Sequence, residues 1–248
     1  MLFRSGEREV TEAIVRSGAQ AVIHTAAISD IGDCERDPDA SRRANVELTL
    51  WVCRAAKALH AKCVCYSSDQ VYTGLEGKGP FREEEARNPA NVYARHKLEA
   101  EKRALDLLPE AVMLRATWMY DHPGPLPLRG NLFMNVLQQV QTGQPARFST
   151  CDLRGVTWAQ EAVENTCRAL ALPGGTYNFG SDGEADMYRT ARELAAMLGG
   201  DADRLILPDA DRTPRSLRMD STRARQGGVM FSDNLEGLRR CLQDWKKA

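Results

Sequence analysis

The sequence has 248 residues and no run approaching the roughly 20 apolar residues of a membrane span. Its first residues, MLFRSGE, lack the charged-then-apolar order of a secretion signal. Positive and negative charges are nearly balanced, because the sequence has 33 Lys and Arg residues and 34 Asp and Glu residues. A membrane and a nucleic acid are therefore not favoured as partners, and we predict a cytoplasmic protein.

The spacing of the cysteines does not indicate disulfide bonds. The seven cysteines are an odd number scattered along the chain, which favours reduced thiols over a disulfide framework. Cys63 and Cys65 form the one close pair, and neither a second pair nor a histidine cluster accompanies them. Because structural zinc takes about four ligands, we interpret this pair as buried strand residues and predict no metal site.

The sequence also lacks the glycine-rich turn that binds a dinucleotide pyrophosphate at a helix amino terminus. Gly6, Gly18 and Gly32 are the early glycines, and they have neither the spacing nor the strand-to-helix context of that motif. A residue that would select NAD or NADP at the end of the following strand is absent with it.

Helical and strand-like segments alternate through the first half. Apolar spacing predicts helices over 7–17, 37–59 and 92–108, and apolar runs predict strands over 21–24, 62–66 and 111–116. This alternation is typical of an α/β fold with a parallel sheet covered by helices. The expected architecture is a Rossmann-like doubly wound sheet.

A proline-rich segment at 122–127 marks a crossing between lobes. Helices are predicted beyond it over 132–141, 159–172 and 188–198, with a strand at 176–179. We expect residues 1–121 to form a partial dinucleotide-binding domain and residues 122–248 to form mostly a smaller α/β substrate lobe. Whether the segment at about 159–179 returns to the main domain stays open.

Tyr93 and Lys97 lie four residues apart in the predicted helix and therefore share one face. A tyrosine titrates near pH 10, and a neighbouring ammonium lowers its pKa by about 1–3 units. This pair suits proton transfer to a carbonyl that receives a hydride. The spacing also arises by chance in helices, and Glu101 is a ready salt-bridge partner for Lys97.

Ser67 and Ser68 follow a buried strand directly. Open parallel sheets place ligands outside the carboxyl ends of their strands, so a serine hydroxyl there can hold a carbonyl oxygen. Ser68 is the better candidate, and Ser67 lies beside it.

Several segments together resemble the extended short-chain dehydrogenase/reductase superfamily, and most closely its reductases of 4-keto-6-deoxy nucleotide sugars, the dTDP-4-dehydrorhamnose reductase type. The segments that carry this resemblance are VIHTAA at 22–27, DCE at 33–35, NV at 45–46, SSDQVY at 67–72, VYARHKLE at 92–99, LRATW at 114–118 and RTPR at 212–215. They cover nearly the whole chain and are specific as a set.

The resemblance implies an NADP- or NAD-dependent reduction of a 4-keto group on a nucleotide-activated deoxysugar. It implies a role for each matching residue: catalysis by Ser68, Tyr93 and Lys97; cofactor binding by Ala26, Ala27, Tyr93, Lys97, Arg115 and Thr117; substrate binding by Ser67, Asn131, Phe133 and Arg215. Simpler interpretations stay open, namely tight packing for the alanines, a strand end for Arg115 and Thr117, and a solvated arginine for Arg215.

One departure from the family pattern bears on activity. Family members begin with a strand, a glycine-rich turn and a helix, whereas this sequence starts at what resembles the helix before the fourth strand. We expect an amino-terminally truncated form, a short paralogue without catalysis, or a chain completed by a partner, and we favour truncation. Such a chain would bind nicotinamide cofactor poorly, and micromolar NADPH affinity would contradict this.

Three alternative functions differ in their sequence support. Dehydratases of the superfamily follow the hydroxyl residue with an Asp-Glu pair, and Gln70 after Asp69 lacks the carboxylate that the base requires. An epimerase would use the same serine, tyrosine and lysine. A non-catalytic regulatory subunit on this fold, acting as a homodimer or with a partner enzyme, is a third interpretation.

Overall fold

A four-stranded parallel sheet organises the structure, a computed structural model that describes residues 5–86, 88–124 and 130–247. Its strand order is β1-β2-β3-β8, and every neighbouring pair is parallel. These four strands are β1 (Ala21–His24), β2 (Lys62–Ser68), β3 (Val112–Ala116) and β8 (Gly175–Phe179). The predicted α/β fold with a parallel sheet is confirmed.

Shorter strands pair outside the main sheet. They are β4 (Trp118–Tyr120), β5 (Ala146–Ser149), β6 (Asp152–Arg154), β7 (Val156–Trp158), β9 (Ile206–Asp209) and β10 (Arg215–Leu217). They form three two-stranded pairs, β4 with β7, β5 with β9 and β6 with β10.

The α-helices of the described residues lie between and around these strands along the chain. They are α1 (Glu7–Ser17), α2 (Ile31–Arg36), α3 (Pro38–Arg42), α4 (Leu48–Ala58), α5 (Val92–Leu107), α6 (Leu132–Thr142), α7 (Ala159–Ala169), α8 (Met187–Met197), α9 (Ala202–Leu205), α10 (Thr222–Gln226) and α11 (Asn234–Trp245). A π-helical turn, Arg43–Glu47, joins α3 to α4, so the predicted helix at 37–59 is interrupted rather than uniform.

The sheet is covered on both faces because successive side chains of its strands alternate. Cys63, Cys65 and Met113 face a core formed with α1, α4 and α5. Val64 and Leu114 face a second core formed with α7 and α10. The strand β8 and the helix α7, whose return to the main domain was left open by the sequence, thus lie with the sheet.

A third apolar core lies beyond the carboxyl ends of the strands. It is built by α6, α8, α11 and the short strands, and its side chains include Phe133, Trp158 and Leu238. The proline-rich crossing leads towards it, and residues 125–127 of that segment lie outside the described residues. The sheet and this core enclose the cleft described below.

Local sequence signals explain where the helices of the first half begin and end. Gly18, with φ of 61°, closes α1 in the left-handed region that glycine adopts without steric cost. The side chain of Asn91 accepts a hydrogen bond from the amide of Ala94, which caps the first turn of α5. No helix among the described residues is long and apolar enough to span a bilayer.

Strand β1 lies at the edge of the sheet, and within the described ranges β2 is its one strand neighbour. Ile23 on this strand is 46% exposed. The edge therefore presents backbone hydrogen-bonding groups together with an apolar side chain.

Candidate active site

A cleft of about 830 Å³ lies between the carboxyl ends of the strands and the third core. This is where open parallel sheets place their ligands. Ser67, Ser68, Tyr93 and Lys97 line it together with Ala27, Thr117, Asn131 and Arg215. A smaller adjoining cavity of about 400 Å³ also includes Ala27 in its lining.

Helix α5 places Tyr93 and Lys97 on one buried face. The amide of Val92, in the first turn, donates to Glu35 at 2.7 Å, and the Asn91 cap holds the same turn. The Lys97 Nζ donates to the carbonyl of Tyr66 at 2.8 Å and lies 5.8 Å from the centre of the Tyr93 ring. The helical spacing therefore brings a phenol and an ammonium to the end of β2.

Burial dominates the acid–base properties of the pair. It raises the pKa of the Tyr93 phenol well above its usual value, while the Ser68 hydroxyl acts in the opposite direction. Burial lowers the pKa of Lys97 to about 8, although the nearby Cys65 and Glu101 act to raise it. His24, lowered to a pKa of about 4 by burial and by Lys97, is neutral at pH 7. Lys97 is consequently a charge held in a site that disfavours charge.

Lys97→Met is expected to reveal the cost of this buried ammonium as a pH-dependent difference in stability. The pKa of Lys97 is about 8 in the folded chain and about 10.5 as a reference, so the folded state loses its proton first as the pH rises. Between these values the unfolding free energy of the wild type should rise relative to that of K97M, by up to about 3 kcal/mol. Urea unfolding of both proteins at about pH 7.5 and pH 10 measures this, and a pH-independent difference would contradict it.

Ser68 begins a short chain of polar contacts at the floor of the cleft. Its Oγ donates to the carboxylate of Asp69 at 3.2 Å and accepts from the amide of Gln70 at 3.2 Å. Arg154 donates to the other oxygen of Asp69 at 2.8 Å, and the Arg154 guanidinium lies 5.4 Å from the Trp118 ring centre. Asp69 is therefore engaged as an acceptor by two donors, which leaves it poorly placed to donate a proton.

Arg115 lies apart from the cleft lining, in contrast to the expected position beside a cofactor. Alternation along β3 turns it towards α5, where its Nη2 donates to Glu101 at 2.7 Å and its Nη1 donates to Tyr72 at 2.8 Å. Glu101 also accepts from Ser67 Oγ. Glu101 is thus committed to Arg115 rather than to Lys97, and Ser67 has its hydroxyl directed into this network.

The remaining predicted residues divide between the cleft and the cores. Phe133 is fully buried against Trp245 in the third core, so its ring does not reach the cleft lining. Ala26 packs against the core under α4. Asn131 lines the cleft, but its side chain caps α6 by accepting from the amide of Met134 at 3.0 Å. Phe133 and Ala26 therefore contribute to packing, and Asn131 caps a helix.

Arg215 and Thr117 line the cleft with their polar groups engaged. Arg215 forms a two-point contact with Asp152, with its Nε 3.1 Å from one carboxylate oxygen and its Nη2 on the other. The Thr117 hydroxyl lies 2.5 Å from that of Thr157. A ligand at either side chain would have to share it with the present partner.

Sequence reasoning missed Asp152, Arg154 and Trp118 as lining residues of the cleft. The pairing of Arg154 with Asp69 joins residues 85 positions apart, and no local spacing signals it. Asn45 lies in the π-helical turn, and its side chain donates to the carbonyl of Ile28 at 3.0 Å. It braces the loop that forms one wall of the smaller cavity.

The family model described as RmlD substrate binding domain matches residues 5–245 of the chain. The chain belongs to the RmlD substrate-binding domain family.

Relatives of this family member include proteins with different names. A dTDP-4-dehydrorhamnose reductase of Mycolicibacterium smegmatis is 23% identical over 251 residues, with 98% of this chain and 72% of the relative covered. The methionine adenosyltransferase 2 subunit beta of Bos taurus is 27% identical over 222 residues, with 84% of this chain and 65% of the relative covered.

Solved structures place the RmlD-family chain in the same fold as known reductases. The crystal structure of dTDP-4-dehydrorhamnose reductase from Bacillus anthracis in complex with NADP aligns with a TM-score of 0.86 and 18% identity. The alignment covers 96% of this chain and 84% of that one. The Rossmann-like architecture is therefore shared.

Proposed function

We propose that this protein reduces the 4-keto group of a nucleotide-activated deoxysugar, with NADPH or NADH as the hydride donor. The observation that carries the proposal is the convergence of Ser68, Tyr93 and Lys97 on one cleft at the carboxyl ends of parallel strands. Relatives named as dTDP-4-dehydrorhamnose reductases support the choice of substrate class.

Ser68, Tyr93 and Lys97 have different roles at the carbonyl oxygen of the substrate. The nicotinamide cofactor, when bound, supplies the hydride that reaches the carbonyl carbon. Tyr93 donates its phenolic proton to the oxygen, so that hydride and proton together convert the ketone to an alcohol. Ser68, released from Asp69, donates a hydrogen bond to the same oxygen, and the Lys97 ammonium stabilises the phenolate that remains.

The residues present fit the nicotinamide-ribose end of such a cofactor. An ammonium has three N–H donors, and among the described side chains and backbone Lys97 directs one of them to the carbonyl of Tyr66. The remaining donors suit ribose hydroxyls, and the small side chain of Ala27 leaves room where the two cavities meet. A glycine-rich strand-to-helix turn does not occur in residues 5–86, 88–124 and 130–247, so no pyrophosphate contact is assigned.

The sugar nucleotide would occupy the opposite wall of the cleft. We propose that residues 1–121 form a unit that carries the catalytic group. Residues 122–248 would supply most substrate contacts, apart from the segment at about 159–179, which packs with the main sheet. Arg215 is the residue there suited to a diphosphate, because a guanidinium binds phosphate oxygens at two points as it now binds Asp152. Substrate binding would require Asp152 to share or release it.

Arg215→Met is expected to raise the KM for the sugar nucleotide by about 10- to 100-fold while kcat changes little, because a charge-assisted hydrogen bond contributes about 1.5–3 kcal/mol. Steady-state kinetics measures both constants. Arg212→Met is the matched control, since Arg212 pairs with Asp209 on the same segment at 2.8 Å and does not line the cleft. Equal changes of KM in the two variants would show that Arg215 does not bind the substrate.

The direct test of the function incubates the purified chain with dTDP-4-keto-6-deoxysugar and NADPH. Loss of the cofactor's near-ultraviolet absorbance together with formation of the 4-hydroxy sugar supports the reductase. Interconversion of sugar epimers without net cofactor oxidation would replace it with the epimerase alternative.

A non-catalytic subunit is the second candidate, and one observation favours it. One relative, 27% identical to this chain, is named as the beta subunit of an adenosyltransferase. Complementation in cells with the Tyr93→Phe variant separates the two, because a binding role would survive the loss of one buried hydroxyl.

A further inference from the structure

Three cysteines meet in the core beneath α4. Cys53 on α4 joins Cys63 and Cys65 on β2, and all three are at most 1% exposed. The sequence shows the last two as a close pair but gives no sign of the first, because it belongs to the preceding helix. The fold therefore creates a set of three thiols that spacing along the chain does not reveal.

The three sulfurs form a nearly equilateral triangle. The Sγ of Cys53 lies 4.0 Å from that of Cys63 and 4.0 Å from that of Cys65, and the last two are 3.6 Å apart. The point equidistant from the corners of such a triangle is about 2.2 Å from each sulfur, which is close to a metal–thiolate bond of about 2.3 Å. An ion in the plane of the sulfurs would need little movement of the side chains.

We propose that Cys53, Cys63 and Cys65 form a three-coordinate binding site for a soft monovalent metal ion of the Cu(I) class. The donor set decides the class of ion. Thiolates select soft ions, and a structural zinc ion requires about four ligands. In the described part of the chain no further histidine, cysteine or carboxylate joins the three thiols.

Binding three thiols to Cu(I) releases three protons and leaves a net charge of −2 on the site. Cu(I) binding should therefore weaken as the pH falls, because protons compete with the ion for the three sulfurs.

Entry to this buried position requires a local opening. Helix α1 packs on α4, and within the described residues β1 is an edge strand whose strand neighbour is β2. A transient displacement of these elements would expose the thiols. Openings of this kind occur below the free energy of global unfolding. Metal uptake should therefore be slow but should not require denaturation.

The test is an anaerobic titration of the reduced, metal-free full chain with Cu(I) against a chromogenic Cu(I) chelator, followed by X-ray absorption spectroscopy. We expect one ion per chain and a first shell of three sulfurs at about 2.2–2.3 Å. A shell containing nitrogen or oxygen, or no uptake against the chelator, would overturn the proposal. This measurement uses the wild type and does not depend on any variant folding.

Variants add a second line of evidence. Cys53→Ala and Cys65→Ala should each weaken Cu(I) binding by at least about tenfold, since changes even outside the ligand shell cost 10- to 100-fold. Cys167→Ser, at an exposed thiol on α7, is the control and should bind as the wild type does. Loss of binding in the control with retention in the core variants would assign the ion to the surface thiol instead.

Discussion

Tyr93→Phe is expected to lower kcat for ketone reduction by about 10²- to 10⁴-fold, the usual contribution of a positioned general acid. The change removes one oxygen and keeps the buried ring, so its packing with Cys34 and Ile31 on α2 is retained. KM should change little, because the proton is transferred only as the reaction proceeds. Steady-state kinetics with the keto sugar nucleotide and NADPH gives both constants.

Tyr188→Phe is the matched control for this prediction. Its hydroxyl accepts from Arg192 at 3.2 Å on α8 and lies outside the cleft lining, so activity should be unchanged. Equal thermal unfolding of the wild type and Y93F would show that the loss is catalytic. A Y93F protein that kept more than a tenth of the wild-type kcat would require another proton donor.

Arg115→Met is expected to destabilise the fold by about 3–5 kcal/mol, because it leaves the Glu101 carboxylate buried without its cation. Arg115 and Glu101 are at most 3% exposed. Arg115 also donates to Tyr72 and to the carbonyl of Glu83, and Tyr72 donates to Asn178 at 2.6 Å. One guanidinium therefore links β3, α5, β8 and the segment after β2.

Urea unfolding measures this loss, with Arg103→Met as the control. Arg103 forms an exposed pair with Glu99 on the same helix at 2.9 Å, and its removal should cost no more than about 0.5 kcal/mol. The double variant Arg115→Met, Glu101→Met should recover part of the loss, because neither charge then remains buried alone. Additive losses would mean that the ion pair is not the source of the effect.

The sequence predicts best what is local. Tyr93, Lys97 and their Asn91 cap lie within seven residues, and helical geometry alone places the two polar side chains on one face. The strand ends at Ser68 follow from apolar runs in the same way, although β2 includes both serines rather than ending before them. These features can be predicted because the residues that determine them lie close together in the sequence.

Positions whose partners lie far along the chain could not be predicted. Arg115 follows the alternation of β3 towards Glu101, 14 residues earlier, and Arg215 pairs with Asp152, 63 residues earlier. Phe133 looks like a binding residue from its motif, yet the third core buries it. Nothing in a local spacing indicates whether an arginine meets a ligand or a carboxylate.

The parallel order β1-β2-β3-β8 also sets when the site can form during synthesis. Ser68 leaves the ribosome long before Asn178, whose side chain completes the buried network through Tyr72. Lys97, the last of the three proposed catalytic residues to be synthesised, precedes Asn178 by 81 residues, which at about 5–20 residues per second take roughly 4–16 s to translate. Until β8 has been made, the edge of β3 that it covers in the folded chain has no partner there, and an unpaired edge of this kind is open to pairing with another strand.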